Sequence, residues 1–387
     1  MRQAYLACFG AVLVAAPAAA QQLQFSTVVK SGLGYGTNPF LRPGLNRGAL
    51  LASISVAPRL NYATARSTTV LSADYSRDEY SNHLGHTDSL TAGINRTDQL
   101  AANLSSTLSA QYRTANRAVI ADPTTEVVED PLNIGRRTHA IVGALQLQWQ
   151  PNAADQLTYG AQYQRQSYGG GFRGPIPGAL ASSYDQYSVN AGYSHTVDEH
   201  TSVGAQASVS TQHSKLYPDS RAVQPSLTAK RQLSAVWTAD AHIGVVFQRV
   251  DGPFGGSTTS LGYGGTLCGT YPRSHVCFVA ERASAPSGYG GLRIQTVFSA
   301  NFDHQLDVKS RVNFAASYTK SASNQSFLPS IIPNSRAVLA SGEYNHDLTQ
   351  RISAGVGGRY QWRDAGGYGT AHAVSGTVHI TAKFGRI

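Results

Sequence analysis

From about residue 25 onward, apolar and polar positions alternate along the chain in segments of roughly ten to fifteen residues. Leu100, Leu104, Leu108, Ala110 and Tyr112 fall on one set of positions, and Asn103, Ser105, Thr107, Gln111 and Arg113 fall on the other. A period of two sends the two sets to opposite faces of a strand. The same split separates Ile141, Leu145, Leu147 and Trp149 from Gln146, Gln148 and Gln150. It recurs where Val312, Phe314, Ala316 and Tyr318 alternate with Arg311, Asn313, Ser317 and Thr319. The pattern predicts strands over 25–36, 48–62, 68–79, 87–97, 100–113, 137–150, 156–168 and 184–196, then over 201–213, 222–237, 241–251, 290–303, 306–320, 336–346, 350–363 and 371–384.

The connections alternate in length. Those at 63–67, 98–99, 151–155, 197–200, 238–240, 304–305 and 347–349 are short, and most of those between them are long and rich in Gly, Pro and Ser. Short turns on one side and long loops on the other predict an all-β fold, a transmembrane antiparallel up-and-down β-barrel of about sixteen strands, within a range of 14 to 18. Both ends then lie on the short-turn, periplasmic side, and segments 114–136 and 252–289 become extracellular loops. The aromatics sort by strand direction as well. Tyr75, Tyr112, Tyr163, Tyr318, Tyr360 and Trp362 come late on outgoing strands, while Tyr62, Trp149, Tyr193, Trp237, Phe302, Tyr344 and Phe384 come late on returning ones. Two interfacial girdles explain that sorting. A soluble β-sandwich has no reason for it and holds far fewer strands.

Composition adds the address. Residues 1–20 carry one charge at Arg2, an apolar run, Pro17 and then Ala18-Ala19-Ala20, the form of a cleavable signal peptide, leaving 21–387 as the barrel. Cys8 stands too near Arg2, with Tyr5 where a small aliphatic residue is needed, to make a lipoprotein box. No later apolar run reaches the length of a membrane-spanning helix. The 38 Gly, 20 Tyr and 14% charged residues suit a pleated surface better than helices. These features together predict the cell outer membrane.

Charge suggests the cargo. Lys and Arg number 31 against 22 Asp and Glu. Alternation turns Lys30, Arg59, Lys230 and Arg293 inward, and also Lys309, Arg311, Arg351 and Arg359. Arg113, Arg363 and Lys383 share that face, against few inward acids, namely Asp74, Asp78, Asp303 and Glu343. A positive lumen focuses anions, unless these cations pair with the inward acids. Arg113 and Arg363, near the outer rim, are equally candidates for lipopolysaccharide phosphates. Outer-membrane lipid and lipopolysaccharide are therefore expected partners, with nucleic acid excluded.

No catalytic constellation emerges. The histidines lack HExxH spacing, His83 and His86 read as a solvated loop pair, and no GxSxG elbow occurs. Gly169-Gly170-Gly171 and Gly264-Gly265 lack the lysine of a phosphate loop. Cys268 and Cys277, in the expected 252–289 loop of an oxidising compartment, predict a disulfide. A metal would need more ligands than His275 adds, so no metal or cofactor is expected, and no enzyme.

The segment Gly34-Tyr35-Gly36-Thr37-Asn38-Pro39-Phe40-Leu41 resembles the glycine-tyrosine-x-x-asparagine-x-phenylalanine element near the mature N-terminus of a family of proteobacterial outer-membrane β-barrel porins, whose members often accompany exopolysaccharide genes. Gly36 stands where that family commonly has Asp, so no carboxylate role carries over. The resemblance implies an outer-membrane location and points toward polysaccharide traffic. The expected function is a porin-like channel for anionic or saccharide solutes, linked to exopolysaccharide export. The alternatives are a non-conducting scaffold of an export complex and, from a third class, an outer-membrane hydrolase.

Overall fold

The computed structural model describes residues 22–39, 41, 44, 47–82, 85–116, 137–169, 182–252, 255–287, 291–322, 334–364, 366 and 369–385. Residues 1–20, expected to be a signal peptide, His83, most of 114–136 and the Gly170-Gly171 tip lie outside these residues. The first half of the wall contains β1 (Gln22–Thr37), β2 (Gly48–Ala63), β3 (Ser67–Tyr80), β4 (Gly85–Ala101), β5 (Leu104–Ala115), β6 (Thr138–Trp149), β7 (Asp155–Tyr168), β8 (Tyr184–Asp198) and β9 (Thr201–Ser214). The second half contains β10 (Ser220–Gln232), β11 (Trp237–Val250), β12 (Gly256–Thr270), β13 (Ser274–Ser287), β14 (Gly291–Gln305), β15 (Ser310–Ala322), β16 (Ser335–Asp347), β17 (Ile352–Asp364) and β18 (Thr370–Gly385).

Every strand pairs antiparallel with its chain neighbours, and β18 closes on β1, from Ser26 opposite Gly385 to Gly36 opposite Ser375. The result is a closed ring without a sheet edge between its ends. A circuit of the register returns to β1 about twenty-two residues from its start. For eighteen strands that stagger sets a tilt of about 40° and a backbone radius of about 17 Å.

The count is eighteen strands, where alternation predicted about sixteen. The two extra strands are β12 and β13, inside the segment expected to be a loop. Their sequences explain the miss. In β12 the outward positions include Gly265 and Gly269 beside Leu261, Tyr263 and Leu267, and in β13 both faces are small or polar from Ala280 on, so the period-two signal is weak. The expected turns at 238–240 and 98–99 also move, to 233–236 and 102–103.

Side-chain direction follows the pleat. Leu33, Leu50, Val189, Leu227, Ile243 and Ile380 stand exposed on the outer surface. In water this belt would be an aggregation hazard; in hydrocarbon it is solvated. Phe298 stacks on Tyr318 and Phe302 on Phe314 along the belt. At the short-turn end, Trp237 donates its indole N–H to the Tyr271 hydroxyl at 3.0 Å. No described helix is long and apolar enough to cross a membrane. The turns are held locally. In the β14–β15 turn, Asp307 Oδ1 accepts the Lys309 and Ser310 amides at 2.7 and 2.8 Å, which keeps its carboxyl below the usual range.

Candidate pore lumen

The inner face is mostly hydroxyl and amide. A chamber of about 570 Å³ is lined by Ser53, Ser76, Asn301, Asn313, Gln361 and Thr377, with Asp78, Asp303, Glu343, Lys30 and Arg359 as its charges. Below it, toward the short-turn mouth, a second space of about 410 Å³ gathers Lys309, Arg311 and Lys383 with Asp307, Asp347 and, shared with the first, Lys30 and Glu343.

The two spaces meet at a polar node across the closure seam. Lys30 Nζ of β1 lies 2.8 Å from Glu343 Oε1 of β16, and Asn345 Nδ2 donates to the same oxygen at 2.9 Å. His379 Nε2 of β18, fully buried, lies 3.2 Å from that carboxylate and 3.0 Å from Asn345 Oδ1. Asp303 is held by Asn313. The carboxylates expected to lock the arginines are thus taken by other groups. Lys383 approaches Asp347 at 3.9 Å. Among the described residues, Arg59, Lys230, Lys309, Arg311 and Arg351 have no ion-pair partner. Arg351 sits in the β16–β17 turn and Lys309 in the β14–β15 turn, both at the rim and not on the wall.

Two of the inward arginines do not face water. Arg293 and Arg363 are each 2% exposed; Arg293 donates to the Ser321 carbonyl at 3.5 Å and Arg363 to the Leu41 carbonyl at 3.0 Å. Arg363 is therefore a buried internal donor, not an outer-rim ligand for lipopolysaccharide. Arg113, on the inward face of β5, is likewise turned away from lipid.

Their burial reflects two inward excursions of the chain. The first is the motif after β1. Asn38 adopts φ 44°, is buried, and donates Nδ2 to the His372 carbonyl at 3.2 Å. Leu41, also at positive φ, packs without exposure against Ala337, Leu339, Ala371 and Ala373 on the inner faces of β16 and β18. The Gly34–Leu41 element thus turns the first long connection into the barrel.

The second excursion is the outer end of the β13–β14 hairpin. Strands β12 and β13 pair only from Thr270 opposite His275 to Tyr263 opposite Arg282, while β13 stays paired with β14 up to Ser287 opposite Gly291. Beyond Arg282 the hairpin parts from β12 and bends inward, while β14 stays paired with β15 up to Ile294 opposite Ala322. Leu292 and Ile294, on the outward parity of β14, bury against Ala222 and Val246, which are on the inward faces of β10 and β11. Opposite parities can meet only if the hairpin lies inside the wall it touches. Leu292 N–H donates to Ser220 Oγ at 2.9 Å, Gln248 Nε2 to the Leu292 carbonyl, and Gln212 Nε2 to the Ser287 carbonyl at 2.8 Å. Gly291 permits the approach: its φ is +79°, and a Cβ there would lie 2.7 Å from Ser220 Oγ. All six residues from Gly291 to Thr296 are buried.

Cys268 and Cys277 are bonded and directly opposite in register, facing inward beside the 271–273 turn. This is the short-turn end, so the pair does not order an extracellular loop. His275 Nε2 lies 3.2 Å from Cys277 Sγ, which groups three metal-type ligands, two of them committed to the disulfide. The histidine accounting from sequence also missed His242, whose Nε2 is 3.4 Å from Glu281 Oε1, and His379. The alternation of β18 could have placed His379 inward. Glu281 could not be placed without recognising β13.

A closed antiparallel ring with an apolar, aromatic-banded exterior and a polar interior is an outer-membrane β-barrel, and the outer membrane is where this chain resides. No family model and no curated protein matches the sequence. Among solved structures the chain is similar to OccK2 (OpdF) of Pseudomonas aeruginosa, at 10% identity over 95% of this chain and 100% of that one, with a TM-score of 0.47. It is similar to OpdK of the same organism at 10% identity, covering 94% and 99%, TM-score 0.45. The FrpB iron transporter of Neisseria meningitidis is similar at 7% identity, covering 93% and 82%, TM-score 0.47.

Proposed function

We propose that the barrel is a porin-like channel for small anionic and saccharide solutes. The observation that carries this reading is the set of inward and mouth cations without a carboxylate partner: Arg59, Lys230, Lys309, Arg311 and Arg351. Pairing would have cancelled their field; unpaired, they bias a confined aqueous path toward anions. The neutral remainder of the wall, serine, threonine, asparagine and glutamine, offers donors and acceptors suited to sugar hydroxyls. Traffic of exopolysaccharide pieces, implied by the Gly34–Leu41 resemblance, is the finer form of the same proposal.

Reversal potentials across a planar bilayer under a salt gradient test it. At physiological salt the Debye length is about 8 Å, so a wall charge acts well beyond contact. Wild type should favour chloride over potassium, and converting Arg59, Arg311 and Arg351 to Glu should lower or reverse that preference in a folded, heat-modifiable barrel. An unchanged selectivity refutes the role of these cations. One observation favours a second reading, a non-conducting scaffold: the outer half of the inner wall is covered, with Thr319, Ser321 and Ala337 all at 0% exposure. A barrel that never conducts supports that alternative.

A further inference from the structure

The outer surface carries a charge pattern that the lumen reading does not use. Along the lipid face, Phe298, Tyr318, Val338 and Trp362 lie in one register row across β14–β17, at the level of the outer aromatic girdle. One pleat nearer the long-loop end, the next outward row reads Arg282, Thr296, Lys320, Arg336 and Asp364 across β13–β17. Two residues of strand rise by about 7 Å, so this row stands at headgroup height.

Lys320 and Arg336 are directly opposite across neighbouring strands. Like charges so placed repel and weaken a sheet unless something negative lies between them. Neither has a hydrogen-bond or ion-pair partner among the described residues. Arg282 spends one N–H on the Leu261 carbonyl at 3.1 Å and another on Thr296 Oγ1 at 3.5 Å, and no carboxylate meets it. On β10 and β11 the outward Arg221 and Arg249 are also directly opposite, but there Arg249 lies 3.6 Å from Asp251.

Other described cations on the outer rim are paired. Arg77 pairs with Glu79, Arg137 with Asp88 at 2.7 Å, and Arg165 lies 3.9 Å from Asp185. Among the described residues, Arg77, Arg137, Arg165 and Arg249 thus meet carboxylates, whereas Arg282, Lys320 and Arg336 on β13–β16 do not, at the depth where an outer leaflet presents phosphates.

We propose that Arg282, Lys320 and Arg336 form a binding site for the phosphate groups of lipopolysaccharide. The phosphate oxygens accept charge-assisted hydrogen bonds from the guanidinium and ammonium groups and remove the repulsion between Lys320 and Arg336. The acyl chains lie on the apolar belt beneath. The site depends on the outer-membrane location and not on whether the lumen conducts.

Native mass spectrometry of the full-length mature protein in detergent, titrated with bisphosphorylated lipid A, measures the binding directly. A double Lys320→Gln, Arg336→Gln variant should bind at least about tenfold more weakly, and wild type should show a comparable loss for lipid A stripped of both phosphates. An Arg77→Gln, Arg165→Gln variant, altered at paired cations, should bind like wild type. Heat-modifiability confirms that each variant is a folded barrel. Equal binding by the Lys320/Arg336 variant overturns the proposal. So does complete displacement of lipid A by millimolar inorganic phosphate, which would identify a general anion site and not a lipid one.

Discussion

Releasing the β13–β14 hairpin from the inner wall should widen the barrel. The perturbation is Leu292→Ala with Ile294→Ala, the two side chains that dock on Ala222 and Val246. Both are 2% exposed, and truncating a buried Leu or Ile costs about 2 to 5 kcal/mol. The cluster is small and lies near a loop, so the low end applies, about 4 kcal/mol for the pair. The hydrogen bonds from Gln248 and Gln212 and to Ser220 remain, worth about 1 kcal/mol each against water. They cannot make up a loss that shifts docking by nearly three powers of ten. Single-channel recording in a planar bilayer should therefore show larger or flickering conductance than wild type, and liposome swelling should admit larger sugars. In a Leu292→Ala background, Ala222→Cys with Ile294→Cys in place of Ile294→Ala should restore the quiet state under oxidising conditions. A heat-modifiable double alanine variant with wild-type conductance, noise and size limit would show that the hairpin does not restrict the path.

Two further predictions test the ends of the barrel. Changing Cys268 and Cys277 to Ser should loosen only the β12–β13 turn, by roughly 2 to 3 kcal/mol felt locally, with the barrel intact by heat-modifiability; after reduction, a membrane-impermeant thiol reagent should label the wild-type pair from the periplasmic side and not on intact cells. Asn38→Ala should cost about 1 to 3 kcal/mol in resistance to denaturant, from loss of the buried bond to the His372 carbonyl and from forcing Ala to φ 44°, whereas Asn38→Gly, free of the backbone penalty, should cost less.

What could be read from the sequence follows which faces are different. Where one face meets lipid and the other water, as in Leu104–Tyr112 or Val312–Tyr318, the two sets of side chains differ sharply and strand, direction and facing were all legible. The inward parity of Arg59, Lys230, Arg311 and Arg359 followed from that alternation, whereas Lys309, like Arg351, lies in a turn. What alternation cannot convey is which inward group finds a partner. Lys30, not an arginine, takes Glu343, because closure of β18 on β1 brings strands from opposite ends of the sequence together. No local pattern encodes a pairing 313 residues apart.

The inward hairpin shows a second way in which alternation fades. A segment buried on both sides has no reason to alternate, and over Gly291–Gln295, with the small residues of Ala283–Ser287 opposite, there is no consistent oily face. That is what a strand pair leaving the lipid must look like. Its outward parity meets the polar and small residues of β9–β11 and not acyl chains, and only Leu292 and Ile294 keep apolar contact. If the hairpin lay in the wall like its neighbours, Arg282 would be followed outward by Ser284 and Pro286 facing headgroups, and the Leu261 carbonyl would be bonded to a strand backbone instead of to the Arg282 side chain. The fading of alternation along the outer half of β13 therefore marks the place where the hairpin folds inward to narrow the lumen, whereas β12, which stays in the wall, was hidden by its outward glycines.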